Sequence, residues 1–368
     1  MNSSILFLTS FLLFFSQIVA WAQPQIYGFN YPCWGKDCYQ TSGADENLDA
    51  LAKTGARWVA IVPTWYMASG KASAMGPTDS SPSDAALSAV ISRAKSLGLS
   101  VELKPHVDRL DGGSRSELTP ANPAAWFAAY KIMMIHYAQM AAKEHVDMLV
   151  IGTELSRLDG QNYRANWTAV ISAVRKVYAG RLTYAANWDA FSKVSFWDQL
   201  DYIGIDAYFP IPGNPSEKNM IRGWKDHKSA LSAAVSGYGK PVLFTEIGIA
   251  SEVGANANPW KFDPSRPVDL NVQKNYFQAF LEVFSDASWF GGFMQWAWET
   301  DPNLSGPQNA NFTVQGKPAL DILKSYFALW NGQAPKDQGL SAEDQLKMKI
   351  SARRALSLIQ DLPKVSLP

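Results

Sequence analysis

The sequence predicts an α/β protein folded as one (β/α)8 (TIM) barrel, and three observations carry that prediction. Strand-like and helix-like segments alternate, the strand-like runs number eight, and the residues just after those runs are polar and aromatic. Alternating β and α elements imply a parallel sheet, and eight strands over roughly 250–300 residues is what a closed barrel requires. The runs are Ile26–Asn30, Trp58–Thr64, Ser100–His106, Met148–Thr153, Arg181–Ala186, Tyr202–Asp206, Val242–Thr245 and Gly291–Trp296. Between them, apolar residues at helical spacing predict helices that include Asp84–Leu97, Pro123–Glu144, Gln161–Tyr178, Ile221–Tyr238, Val268–Ser285 and Pro318–Trp330. A doubly wound open sheet is the alternative, but no Gly-x-Gly-x-x-Gly or phosphate-cradling loop follows any strand.

The chain ends lie outside this pattern. Ile5 to Val19 is an apolar stretch followed by Ala20-Trp21-Ala22, a small-x-small cleavage pattern, so residues 1–22 read as a signal peptide. The stretch is shorter than the ~20 residues a spanning helix needs, which favours cleavage near Ala22 over a retained anchor. Residues 23–332 form the expected catalytic barrel. From Asn331 the composition becomes linker-like, and Ser341-Ala-Glu-Asp opens a final helix, so residues 333–368 are read as linker and C-terminal helix. Export implies a secreted or periplasmic protein. It also places Cys33 and Cys38, the only two cysteines, in an oxidising compartment where they are expected to pair. Sequons stand at Asn166, Asn303 and Asn311.

Of the 368 residues, 47% are hydrophobic and 18% charged, an ordinary balance for a large core, and one barrel fits this length better than two average domains. Lys+Arg and Asp+Glu are equal at 33 each, so no global field draws the protein to nucleic acid or to an anionic membrane. A neutral polymer is a compatible partner, and a monomer is expected. The 14 Trp, 14 Tyr and 18 Phe supply rings for a core and for stacking on the apolar faces of sugars. No cofactor is expected. A hydrolase of the amidohydrolase kind needs clustered His ligands, whereas His106, His136, His145 and His227 are scattered, so no metal site is expected either.

In a parallel barrel the active site lies at the C-terminal strand ends. Those ends read Lys104-Pro-His106-Val-Asp108, Thr153-Glu154, Asn187-Trp188-Asp189, Asp206-Ala-Tyr208, Thr245-Glu246 and Gln295-Trp296-Ala-Trp298-Glu299. Glu154 closes the run Met148-Leu-Val-Ile-Gly-Thr, and Glu246 closes Pro241-Val-Leu-Phe-Thr. Such apolar runs belong to strands buried on both faces, so each glutamate emerges where a strand opens onto a loop. Two carboxyl groups facing one mouth suit glycoside hydrolysis: one, held protonated, gives a proton to the leaving oxygen, and the other, ionised, attacks or stabilises an oxocarbenium-like carbon. A retaining mechanism sets them roughly 5–5.5 Å apart. A single glutamate capping a strand or pairing with an arginine is the bland alternative.

The chain resembles the clan A retaining glycosidases, and among them glycoside hydrolase family 113, whose barrels are β-mannanase-like. The matching pieces are Tyr27-Gly-Phe-Asn30, Lys104-Pro-His106, Ile151-Gly-Thr-Glu-Leu155, Gly204-Ile-Asp-Ala-Tyr-Phe209, Phe244-Thr-Glu-Ile-Gly248 and Phe312-Thr-Val-Gln-Gly-Lys-Pro-Ala319, in order over about residues 25–330. The resemblance implies a secreted retaining enzyme that cleaves β-1,4-linked mannan or glucomannan, with Glu154 as acid/base and Glu246 as nucleophile. Physical reasoning adds Trp296 as the candidate platform for the reacting sugar, with barrel-lid packing as its alternative, Lys104 and His106 as candidates for hydroxyl contacts, with a structural role as the alternative for His106, and a hydrogen bond from Tyr208 that would favour an ionised Glu246. Many clan members carry Asn before the acid/base; Thr153 stands there, and Asn187 across the mouth is the candidate to replace it. Trp34, Trp65, Trp188 and Trp260 are candidates for outer subsites. Another neutral β-glycan, or a catalytically silent carbohydrate-binding barrel, remains as an alternative.

Overall fold

The structure is a computed structural model that describes residues 24–333. The predicted signal peptide, linker and C-terminal helix lie outside the described residues.

Ten strands are present: β1 (Ile26–Pro32), β2 (Trp58–Val62), β3 (Thr64–Met67), β4 (Ser100–Leu103), β5 (His106–Arg109), β6 (Met148–Thr153), β7 (Arg181–Asn187), β8 (Ile203–Asp206), β9 (Val242–Ile247) and β10 (Phe290–Gln295). Eight close into a barrel in the order β1-β10-β9-β8-β7-β6-β4-β2, with parallel pairing throughout. The predicted barrel is therefore the observed one. Two predicted strands stop earlier than read, for one reason. Pro63 and Pro105 have no N–H to give a ladder, so β2 stops at Val62 and β4 at Leu103. Beyond the prolines the chain pairs again as a separate two-stranded lip, β3 with β5, in the register Thr64↔His106. The lip carries His106 at the edge of the barrel mouth.

Among the described residues seven α-helices surround the strands: α1 (Ser42–Ala52), α2 (Asp84–Ser96), α3 (Pro123–Lys143), α4 (Arg164–Arg175), α5 (Glu217–Val235), α6 (Leu270–Phe284) and α7 (Pro318–Trp330). Helix α1, absent from the predicted set, starts where Thr41 caps the Ala44 N–H, and it buries Leu48 and Leu51. Helix α5 begins at Glu217 behind the Ser216 cap, earlier than the apolar pattern indicates. The segment read as a helix from Gln161 opens with a 3-10 turn, Gln161–Tyr163, before α4. Between β7 and β8 two short 3-10 turns, Phe191–Lys193 and Trp197–Gln199, take the place of a helix.

Inside the barrel, Ile26, Trp58, Ala60, Met148, Leu243 and Met294 pack into one small apolar cluster, while a larger one fills the space between strands and helices. Closure between β1 and β10 depends on Gly292: its φ is +139° and a Cβ there would lie 1.7 Å from the Ile26 carbonyl oxygen. On the loop after β1, Cys33 and Cys38 are disulfide-bonded with a Cα separation of 6.0 Å. No helix among the described residues is long and apolar enough to cross a membrane.

Candidate active site

Two local irregularities aim the paired glutamates. Pairing of β6 with β7 slips by one residue between Val150↔Thr183 and Thr153↔Ala185, and Glu154 then takes a φ of +53° while its N–H donates to the Ala185 carbonyl at 2.7 Å. Gly152 allows this, because a Cβ there would lie within 2.9 Å of Tyr130, Trp167 and Tyr184. On the other side, β8 and β9 slip between Ile205↔Phe244 and Asp206↔Glu246. Bulges of this kind re-aim side chains beside active sites, and a non-glycine residue at positive φ is a strained position that its surroundings must hold in place.

Glu246 is buried, and each of its oxygens is engaged. Oε1 accepts from Lys104 Nζ at 2.5 Å, and Oε2 accepts from Tyr208 Oη at 2.6 Å. Lys104 is fully buried and also reaches Asp206 Oδ1 at 3.2 Å and the Thr245 carbonyl at 3.3 Å. An ammonium has three donors, so none remains for a sugar hydroxyl. The expected contact of Lys104 with substrate thus gives way to one with Glu246. Burial opposes the Lys104 charge, but Asp206, Glu246 and Glu102 outweigh it and raise the pKa. Asp206 is pushed upward by burial and by Glu246, and Thr245 Oγ1 donates to it at 2.8 Å. Burial and the Glu246 charge push the Tyr208 phenol well above its ordinary value, so it stays a donor.

Glu154 has a different setting. Its pKa is raised, mainly by burial, with Arg115 pulling down and Glu246 pushing up. A carboxyl group with one face on the cavity and an upward-shifted pKa is a candidate proton donor.

A cavity of about 540 Å³ brings together Glu154, Glu246, His106, Asn187, Tyr208 and Trp296 of the predicted set. Trp188 and Trp260 also line it and stack on each other, with ring centroids 5.5 Å apart and planes at 24°. Trp65 instead packs on His136 and Tyr137, Trp298 is buried against Phe29, and Trp34 is exposed; none of them lines this cavity. A larger hollow, about 890 Å³, opens at the opposite end of the barrel among Arg57, Arg175, Arg181, Asp147 and Asp201. It holds neither glutamate and sits at the N-terminal strand ends, where barrel enzymes do not place their chemistry.

Three residues escaped the sequence reading. Arg115 follows the lip strand β5, bonds His106 Nδ1 at 2.8 Å and Asp108, and faces the cavity. Only its proximity to the His106–Asp108 strand end signalled it. Phe312 lines the cavity edge-on to Tyr208; it lay inside a quoted motif without a role. Glu102 is fully buried, neither oxygen has a hydrogen-bond partner in the protein, and burial pushes its pKa to about 7.

A family model described as Glycoside Hydrolase Family 113 matches residues 27–317. The chain belongs to glycoside hydrolase family 113. It is similar to the structure of the family 113 β-mannanase AaManA from Alicyclobacillus acidocaldarius in complex with ManMIm, at 29% identity and a TM-score of 0.77, covering 84% of this chain and 99% of that one. A second structure, described as a family 113 β-1,4-mannanase, matches at 29% identity and a TM-score of 0.76, covering 83% and 99%. More remote is the structure of a GH5_18 variant from Bifidobacterium longum subsp. longum in complex with Manβ1-4GlcNAc, at 15% identity and a TM-score of 0.55, covering 84% and 79%; it shows the fold alone. No curated protein matches the chain. Membership makes this protein a glycoside hydrolase of the retaining kind on a (β/α)8 barrel.

Proposed function

We propose that the protein is a secreted endo-β-1,4-mannanase acting on mannan or glucomannan by double displacement, with Glu246 as nucleophile and Glu154 as acid/base. One observation carries this reading: both oxygens of Glu246 are held by donors, while Glu154, on the same cavity, has an upward-shifted pKa. Donors on the charged form keep a carboxylate ionised, and water exclusion keeps a carboxyl group protonated.

In the first step Glu154 gives its proton to the glycosidic oxygen as that bond breaks, and Glu246 bonds to the anomeric carbon. Formation of the ester removes the Glu246 negative charge that raises the Glu154 pKa, so Glu154 can now take a proton from water. That water attacks the anomeric carbon and restores Glu246, with net retention. Trp296 is the platform for the reacting sugar, and the Trp188–Trp260 stack extends the aromatic surface toward outer subsites. Asn187 and His106 contact sugar hydroxyls.

Mannan is favoured because the two mannanase structures match nearly their whole length. Export, supported by the apolar N-terminal stretch and the Cys33–Cys38 bond, puts the enzyme where a polysaccharide can reach it. The test is incubation with mannohexaose, cellohexaose and xylohexaose, following cleavage by chromatography and the product anomer by NMR. Cleavage of mannohexaose with retention is expected. Cleavage of cello- or xylo-oligosaccharide with mannohexaose untouched would remove the mannanase reading, and inversion would overturn double displacement.

A further inference from the structure

His106 opens the lip strand β5 and lies buried, its ring nearly parallel to the Trp296 indole, with centroids 6.0 Å apart and planes at 13°. Arg115 Nη1 sits 2.8 Å from His106 Nδ1, and Asp108 fixes the guanidinium through Nε at 2.9 Å and Nη2 at 2.7 Å. A guanidinium can only donate, so Nδ1 must accept, and the one proton of a neutral ring then lies on Nε2. Burial, Arg115 and Lys104 all lower the His106 pKa. The acidic groups around the ring, Glu246 at 3.9 Å and Asp108 behind Arg115, do not reverse that shift. The ring is therefore neutral.

The Nε2–H donor has no partner. It is buried, and 3.9 Å to Glu246 Oε1 is too far for a hydrogen bond. One oxygen placed between them, about 2.8 Å from each, would satisfy both. When Glu246 attacks the anomeric carbon, the hydroxyl nearest its carboxylate is the one on the adjacent carbon. Thr153, which occupies the position of the Asn carried by many clan members, does not line the cavity, and its hydroxyl is buried without a partner.

We propose that Arg115 is a positioning residue that locks His106 as an Nε2–H donor to the sugar 2-hydroxyl lying between His106 and Glu246. This contact rests on the assignment of Glu246 as nucleophile, whereas the lock does not. Two measurements separate them. Long-range ¹⁵N–¹H correlation spectra of the ligand-free protein are expected to show His106 neutral at neutral pH, with its proton on Nε2. In Arg115→Met the tautomers mix. An imidazolium or an Nδ1–H ring in the unaltered protein, or an unchanged tautomer in Arg115→Met, would overturn the lock whatever the substrate.

For the contact, kcat and KM are compared on an aryl β-mannobioside and its 2-deoxy analogue at the reacting sugar. Loss of the buried donor is expected to lower kcat about 10–100-fold in His106→Ala, and mixing of the tautomers to lower it by a smaller, few-fold factor in Arg115→Met, with little change in KM. Arg115→Lys, whose ammonium also only donates, should recover part of the loss. On the 2-deoxy substrate the penalties should vanish. Equal penalties on both substrates, or a 2-hydroxyl dependence that follows Asn187→Ala instead, would overturn the contact. A role in packing alone would lower stability without this substrate dependence.

Discussion

The floor and the rim of the catalytic cavity hold the same residue type in opposite settings. On the floor, Glu246 is buried among Lys104, Tyr208 and Asp206, with both oxygens occupied. At the rim, Glu154 has a backbone forced to a φ of +53°, a face on the cavity and an upward-shifted pKa. On the proposed mechanism, this difference is what divides acid from nucleophile. Strand ends place both carboxyl groups, but the neighbours delivered by other strands give each its setting: donors on both oxygens of Glu246, and a dry surround that raises the Glu154 pKa.

The strongest way to break that comparison is to remove the floor carboxylate. Glu246→Ala is expected to lose at least ~10⁴-fold in kcat, far beyond the ~10-fold that each 1.36 kcal/mol of misplacement would cost. A 2-deoxy-2-fluoro glycoside should tag one residue, and peptide mass spectrometry should find it on Glu246. A tag on Glu154 would exchange the two roles.

At the rim, Glu154→Ala should depend on the leaving group. In pre-steady-state bursts, poor leaving groups are expected to lose about 10²–10⁴-fold in the glycosylation step, while activated aryl glycosides, which need little protonation, lose much less. Equal losses would mean that Glu154 is not the acid.

The floor's dryness has a separate signature in Glu102. Its pKa is raised from 4.5 to about 7 in the fold, so the folded state holds that proton more tightly than the unfolded chain does. Its stabilising contribution is then fully present below the unfolded value and lost as pH rises through about 7. Glu102→Gln, which stays neutral, should match the unaltered protein in urea unfolding at about pH 4 and exceed it by roughly 3 kcal/mol above pH 7. A difference that does not change with pH would show that Glu102 is hydrated and the floor is wet.

The barrel was legible because its periodicity is strong. Runs such as Met148-Leu-Val-Ile-Gly-Thr153 admit little besides a buried strand, and once eight were counted the mouth followed. Less legible was anything that depends on how neighbouring elements meet. Pro63 and Pro105 split two strands and created a lip, which an apolar pattern does not announce. Lys104 reads as a contact for a sugar hydroxyl until β8 and β9 place Asp206 and Glu246 against it. Glu102 carried no signal and Arg115 only its nearness to the His106–Asp108 strand end, because their meaning lies in an absence of partners and in a ring nitrogen, neither of which has a sequence period.

The smallest expected effect tests where the rim ends. Trp260 is 40% exposed and stacks on Trp188; as the proposed outer subsite, it would hold sugar equally in ground and transition states. An interaction equal in the two states raises KM when lost and leaves kcat alone. Aromatic stacking worth about 1 kcal/mol predicts that Trp260→Ala raises KM for mannohexaose about 5–10-fold. An oligosaccharide that leaves that subsite empty should be affected less. A fall in kcat at unchanged KM would place Trp260 in the chemistry of the floor, and the division between the two regions would have to be redrawn around the aromatic pair.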